Sequence, residues 1–486
     1  GWGLGPTFAG RNTTHQKKKA DDEVLKWMRD DIGLHFSDEE LHSYPFITPE
    51  MAIEEVEYLR NQRRKYDGNV PERRTEELVF PSPESEIFEE FNTGTKGKMQ
   101  VSTTMVFVSL LRKLMKSKNQ GSKVVPIIPD EGRTFGMDPL FAEFGIYSPI
   151  GQLYKPVDHK VLMKYKESNS GQILQEGINE AGAMATFIAS SISYSNHSCI
   201  TIPFYVFYSM FGFQRVADLI WSAADGRSKG FLIGATSGRT TLNGEGLQHQ
   251  DGHSLLMAHT NPAIKAWDPA FSYELSTIIK HGIHEMYALD KDLMYYLAVY
   301  NENYPMPAKP EDVDEGIIKG LYLLRKSPSG DAPLVRIIGS GPIMLQVLSA
   351  VEKLEKYGVR SEIWSATSYG ELRRDAMECD RWNRLNPDKK QKISWVEQHL
   401  GGDEISTIAV SDNIAAVPGL IYNWINGDYI TLGTDGFGRS DSRESLRRHF
   451  EIDSEHIVLA ALSSLVKNNK LDISIFESAK KEMNVE

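Results

Sequence analysis

The sequence predicts an α/β protein: two parallel-sheet α/β domains preceded by a mostly helical N-terminal segment. Three observations carry that expectation. Short apolar runs alternate with helix-period segments from about residue 102 to 235, the pattern of strands and crossover helices. The same alternation returns between residues 334 and 467. Between the two blocks, Pro305, Pro307, Pro310, Pro328 and Pro333 mark a domain crossing. A chain of 486 residues also exceeds what one ordinary core organises. The expected divisions are residues 1–97, 98–310 and 311–486.

Residues 1 to about 97 lack long apolar periods. Gly1-Trp2-Gly3-Leu4-Gly5-Pro6 reads as a glycine-rich loop, and Lys17-Lys18-Lys19 as a solvated face. Residues 22–29 and 49–65 read as exposed or amphipathic helices, and Pro81-Ser82-Pro83 as a linker-like turn. Ser102-Thr103-Thr104 is placed to cap a helix whose apolar face carries Val106, Leu110, Leu111 and Leu114. A strand over 124–128, a helix over 176–190 and strands over 200–205 and 230–234 follow. In the second block the expected elements are strands at 334–338, 361–365 and 406–411, with helices from 343 and over 457–467.

Composition narrows the function class. A hydrophobic share of 41% with 25% charged residues is ordinary for a globular protein. The net charge of −12 argues against a nucleic-acid binder, which needs a basic face for phosphates. Two cysteines, Cys199 and Cys379, cannot build a disulfide framework. No apolar run reaches membrane-spanning length. No secretory signal is visible, and the first residue is not Met, so a preceding segment is expected.

Chemistry is suggested where apolar segments end in carboxylates. Pro126-Ile127-Ile128-Pro129 runs into Asp130-Glu131, and Gly177-Ile178-Asn179 into Glu180. A carboxylate against an apolar wall is costly to ionise and can hold a proton near neutrality. From spacing alone the plainer reading stays open: loop carboxylates, one capping a helix. Gly339-Ser340-Gly341 follows a strand but lacks the third glycine and acidic partner of a dinucleotide site, so it reads as a tight turn. Gly94-Thr95-Lys96-Gly97-Lys98 is too short for a phosphate loop. Glu245, His249 and His253 recur every four residues, a zinc-like spacing on a helix. Gly244, Gly246 and Gly252 oppose a helix there, so a loop presenting His249 is expected and no metal ligand is assigned. No serine elbow or base-paired cysteine supports nucleophilic chemistry. The aromatic run from Phe204 to Phe213 reads as core, and also as a wall on which a flat heteroaromatic ring could stack.

These segments have company: Tyr205 to Arg215, Gly234 to His249, and Leu432-Gly433-Thr434-Asp435-Gly436-Phe437-Gly438-Arg439 through Arg443. In order and wording they resemble the homodimeric first component of the pyruvate dehydrogenase complex, a thiamine-diphosphate-dependent 2-oxo acid decarboxylase. The resemblance covers essentially the whole chain. It implies a pyrimidine-binding domain followed by a transketolase-like C-terminal domain. It also implies oxidative decarboxylation of pyruvate with acetylation of a lipoyl group on an acyltransferase partner, in a bacterial cytoplasm. Glu180 is similar to the glutamate that bonds N1′ of the aminopyrimidine ring and sets its tautomer. Tyr208 and Phe211 would line the ring's pocket with Ile178 nearby, and Asp130 and Glu131 match a carboxylate pair beside the cofactor. Arg215 would compensate local negative charge. Glu245 and His249 match residues facing the reacting carbon. His15, in Asn12-Thr13-Thr14-His15, resembles part of a mobile loop that assists lipoyl acylation.

One departure stands out. The family holds the diphosphate and Mg²⁺ with a Gly-Asp-Gly segment and a later Asn, and this sequence has no Gly-Asp-Gly. The chain is therefore expected to be the C-terminal part of such an enzyme. The rest of the thiamine diphosphate and Mg²⁺ site would come from a preceding segment or companion chain, and a homodimer is expected. A transketolase-like transfer of a two-carbon unit and a non-catalytic dimerisation or docking fragment are the alternatives.

Overall fold

The computed structural model describes residues 4–66, 68, 80, 82–129, 132–157, 159 and 165–485. Asp130 and Glu131 therefore lie outside the described residues, as do Pro81 of the expected linker turn and the first three residues.

The chain forms two compact units, residues 1–73 and 74–486. The first is helical, with helices Asp22–Ile32, Asp38–Leu41 and Ile53–Arg64. Local chemistry sets their ends. Asp21 accepts from the Val24 amide, Gly33 closes the first helix in the left-handed conformation, and Ser37 with Glu40 forms a capping box. Arg29 joins two helices by donating to Asp38 at 2.7 Å. His15 sits in the single turn Asn12–Gln16 with an exposed ring.

The second unit holds the sheets. Its strands are β1 (Val124–Ile128), β2 (Ile146–Tyr147), β3 (Glu167–Ser168), β4 (Leu174–Gln175), β5 (Ile202–Tyr208), β6 (Gly230–Ala235), β7 (Ile264–Trp267) and β8 (Met294–Ala298). After them come β9 (Tyr322–Arg325), β10 (Leu334–Gly339), β11 (Arg360–Ser365), β12 (Ser406–Val410) and β13 (Tyr429–Leu432). Six form a parallel sheet in the order β4-β1-β5-β6-β8-β7. Five form a second sheet in the order β13-β12-β10-β11-β9, parallel except for antiparallel β9 at its edge. The pair β2 and β3 stands apart.

Burial explains the strand composition. Every residue of β5, β6 and β8 is buried, as expected for central parallel strands covered on both faces. Phe204 and Phe231, paired in register, stack with centroids 4.5 Å apart. A fully buried side chain of this kind contributes about 1.5–3 kcal/mol. Ser102 caps the helix Thr103–Met115 by accepting from the Met105 amide at 3.2 Å. Helix Glu180–Ser191 begins four residues later than the periodicity suggested, because Asn179 takes the cap and accepts from the Gly182 amide. Strands β2, β3, β4, β7, β8, β9 and β13 went unread in the sequence; β2, β3 and β4 are two residues long and hold too little period to be read. Within this unit β13, β12 and β10 reach toward the loops that follow β6 and β7, and polar bonds cross between the sheets there.

Candidate active site

The site grows from the C-terminal edge of the first sheet, where ligands of open parallel sheets bind. Strand β5 ends at Tyr208 and turns through Ser209–Phe211 before the helix Phe213–Asp225. Gly212 makes the turn possible, because any Cβ there would run into the Phe207 ring. Past β4, Gly177, Ile178 and Asn179 lead to Glu180 at the first position of its helix. After β6, residues 236–253 form a long loop that carries Glu245 and His249.

Arg215 donates from Nη1 to Glu180 Oε1 at 2.7 Å, and its guanidinium lies 3.8 Å from the Phe211 ring centroid. The expectation of an apolar wall beside Glu180 is corrected here. The carboxylate is largely buried, but it faces a guanidinium that projects back from the following helix. Tyr205 buttresses the same helix start, donating to the Glu180 carbonyl at 3.3 Å. Ile178 is exposed, two residues before Glu180.

Three rings meet beside this pair. The His249 ring centroid is 4.9 Å from that of Tyr208 and 5.1 Å from that of Phe211, and Phe135 closes on Tyr208 from behind at 5.3 Å. His249 sits in the single 3-10 turn Leu247–His249 within a loop, not on an α-helix. Its Nδ1 is 3.3 Å from the Gly246 carbonyl, which can only accept, so Nδ1 carries the proton of the neutral ring and Nε2 is left as an acceptor. Glu245 Oε2 stands 3.9 Å from the same Nδ1. Glu180, Arg215, Phe211, Tyr208, His249 and Glu245 thus form one continuous series of contacts. His15 belongs to the other unit.

Sequence reasoning missed the residues that hold this arrangement. Asp251 is buried and accepts from the Ser209 hydroxyl and from the amides of His253 (3.0 Å) and Ser254 (3.1 Å). Gln250 donates to the Leu242 carbonyl at 2.9 Å and accepts from the Arg439 amide at 2.7 Å. Arg239 donates to the Thr434 carbonyl at 2.7 Å, and burial pushes its pKa below the ordinary arginine value. Asp412 accepts both amides and both hydroxyls of Thr240 and Thr241 at 2.6–2.9 Å. Gly238, in the left-handed region at φ +96°, lets that loop pass close, where a Cβ would strike Asp412. Asp412 lies some 170 residues from its threonine partners in the chain, so no local spacing announced it.

Among the described residues no group of three or more His, Cys, Asp or Glu side chains is placed to hold a metal ion, and no helix is long and apolar enough to cross a membrane. In chemical terms the site offers a carboxylate, an aromatic face and an imidazole side by side. That set suits a flat nitrogen heterocycle that stacks while hydrogen-bonding at a ring nitrogen. The Arg215 guanidinium, itself planar and N–H-bearing, already makes both contacts.

Residues 78–307 match the pyruvate dehydrogenase E1 component middle domain, and residues 320–453 the transketolase-like TK C-terminal domain. The chain is 46% identical over 481 residues to the pyruvate dehydrogenase E1 component of Pseudomonas aeruginosa, covering 99% of this chain and 54% of that protein. It is 43% identical over 493 residues to the pyruvate dehydrogenase E1 component of Escherichia coli K12, covering 100% of this chain and 55% of that one. The chain therefore spans about half the length of the curated relatives it matches. A transketolase from Campylobacter jejuni shares the fold with a TM-score of 0.59 at 17% identity, over 91% of this chain and 59% of that one.

Proposed function

The chain belongs to the pyruvate dehydrogenase E1 component family through its middle and C-terminal domains, and from that premise we propose that it carries the pyrimidine-side half of a thiamine-diphosphate site that decarboxylates pyruvate. The observation that carries the reading is Glu180 opposite the Phe211 face, with His249 against both aromatic rings of the turn.

The residues fit the group. Phe211 and Tyr208 would receive the aminopyrimidine ring, which on Phe211 would take the place of the Arg215 guanidinium stacked there, Glu180 would hydrogen-bond its ring nitrogen, and Ile178 would lie nearby. When bound, thiamine diphosphate supplies the carbanion chemistry that removes CO₂ from a 2-oxo acid. Glu180 governs the proton at the ring nitrogen, and Arg215 fixes the glutamate's rotamer by holding Oε1 and leaving Oε2 for the ring. His249 holds its proton on Nδ1 through Gly246, so Nε2 can accept a proton at the reacting centre or meet a polar substrate group.

Asp130 and Glu131 would supply the carboxylate pair beside the cofactor, and His15 would assist acyl transfer to a lipoyl group on an acyltransferase. The diphosphate and Mg²⁺ ligands would come from residues outside this chain. We infer a homodimer in a bacterial cytoplasm as its setting.

The test is pyruvate-dependent reduction of an electron acceptor by the full-length enzyme, with and without thiamine diphosphate and Mg²⁺. Turnover should require the cofactor and vanish in Glu180→Ala while circular dichroism and melting stay close to the parent. Near-parental turnover in that variant would remove Glu180 from the mechanism and the reading with it.

A further inference from the structure

Tyr208 and Phe211 belong to one segment, His249 to another, and their ring contacts exist only if the two segments hold a fixed register. What could fix it is visible within two residues of each. Ser209 directly follows Tyr208, and Asp251 lies two residues beyond His249. The Ser209 hydroxyl donates to Asp251 Oδ2, while Asp251 Oδ1 takes the amides of His253 and Ser254. One carboxylate thus binds the aromatic turn, the end of the His249 loop and the start of the helix Ser254–Thr260.

The surroundings leave little slack. Asp251 bridges to Gly238 across the loop, and the Ser254 hydroxyl donates to the Ser209 carbonyl at 3.3 Å. Gly252 is pressed against the Arg239 guanidinium and the Thr434 hydroxyl, each 3.0–3.1 Å from where a Cβ would stand. Tyr296 Oη is 2.8 Å from Ser209 Oγ. With Ser209 donating to the carboxylate, the tyrosine must donate to Ser209, so the bonds run one way, Tyr296 to Ser209 to Asp251. A carboxylate accepts only, and it alone enforces that direction.

We propose that Asp251 is a positioning residue that sets the His249 imidazole against Tyr208 and Phe211 through Ser209, and that it does so without touching the reacting atoms. The proposal rests on the function proposed above for His249. In Asp251→Asn one carboxylate oxygen becomes an NH₂. The backbone amides keep their acceptor, but the Ser209 bond must reverse, so the fold survives while the register loosens. Ser209→Ala cuts the same tie from the other side.

The experiment uses the full-length enzyme carrying Asp251→Asn, Ser209→Ala, His249→Ala and the combination of Asp251→Asn with His249→Ala. Displacing a catalytic group by a fraction of an ångström to an ångström costs on the order of 10- to 100-fold. Asp251→Asn and Ser209→Ala should therefore each lower kcat about tenfold or more, with KM for pyruvate moving less than about threefold. In the His249→Ala background Asp251→Asn should cost less than about twofold further, because the residue acts through the imidazole that is already gone. Melting temperature should fall equally in both backgrounds. A second readout needs no turnover: carbethoxylation of His249, mapped by peptide mass, should accelerate several-fold in both tie-breaking variants. Equal kcat losses in the two backgrounds, or unchanged His249 labelling, would overturn the proposal. Absence of cofactor-dependent turnover in the parent enzyme would instead count against the proposed function, and the labelling would still decide the positioning.

Discussion

Arg215 and Glu180 meet head to head at 2.7 Å, from the starts of two different helices, with the guanidinium lying flat on Phe211. The pair is half open to solvent on the arginine side, so its worth to stability is small, about 0–1 kcal/mol for the ion pair and about 0.5–1 kcal/mol for the stack. Its worth to the site is geometric. Arg215→Met should leave the midpoint of urea unfolding nearly unchanged yet reduce kcat by roughly tenfold, since Glu180 loses the contact that orients it. Arg215→Lys should recover only part of that loss, because an ammonium restores charge but not the planar stack. Full recovery by lysine would show that charge alone matters.

Asp412 ties the two sheets together. Four buried donors on Thr240 and Thr241 share its carboxylate, and burial raises its pKa while Arg447 opposes the rise. In Asp412→Ala each orphaned donor costs about 1–3 kcal/mol, and relief of the buried charge offsets part of the total. The expected net loss is roughly 3 kcal/mol, read as a lower denaturation midpoint. Activity should fall too, because the same threonines carry the chain from β6 toward Glu245 and His249. A variant with parental stability would mean that water replaces the lost acceptor.

Asp268 gives the fold a pH signature. Burial pushes its pKa from the ordinary carboxylate value up to about 6, against the hydrogen bonds donated by Tyr300 and Ser340, and the nearby Asp412 and Glu274 push the same way. A carboxyl whose pKa is higher folded than unfolded favours the folded state while protonated. Its contribution is fully present below about pH 4 and is lost as pH rises through about 6. The swing is on the order of 3 kcal/mol. Unfolding free energy followed from pH 4 to pH 7 should therefore decline less in Asp268→Asn than in the parent. Identical slopes would assign the decline to other groups.

Much of the architecture was legible because it is local. Ser102 announced its helix by cap chemistry, Val124–Ile128 its strand by an apolar run, and the glycines around His249 a loop by conformational freedom. The short edge strands β4 and β13 were not legible, since two to four residues hold too little period to distinguish strand from loop. Asp130 and Glu131, singled out in the sequence, lie outside the described residues.

By itself the sequence determined the α/β class and the elements with a clear local period or cap, for which residue type and neighbouring residues are enough. The candidates Glu180, Tyr208, Phe211, Arg215, Glu245 and His249 came from the resemblance of their segments to a known family. Only the tertiary structure decided what each candidate faces: Arg215 opposite Glu180, and His249 between Tyr208 and Phe211. It alone disclosed Asp251 and Asp412, whose partners lie 42 and about 170 residues away. A hydrogen bond is specified by distance and angle in space, and those are set by how strands pack side by side, not by position along the chain.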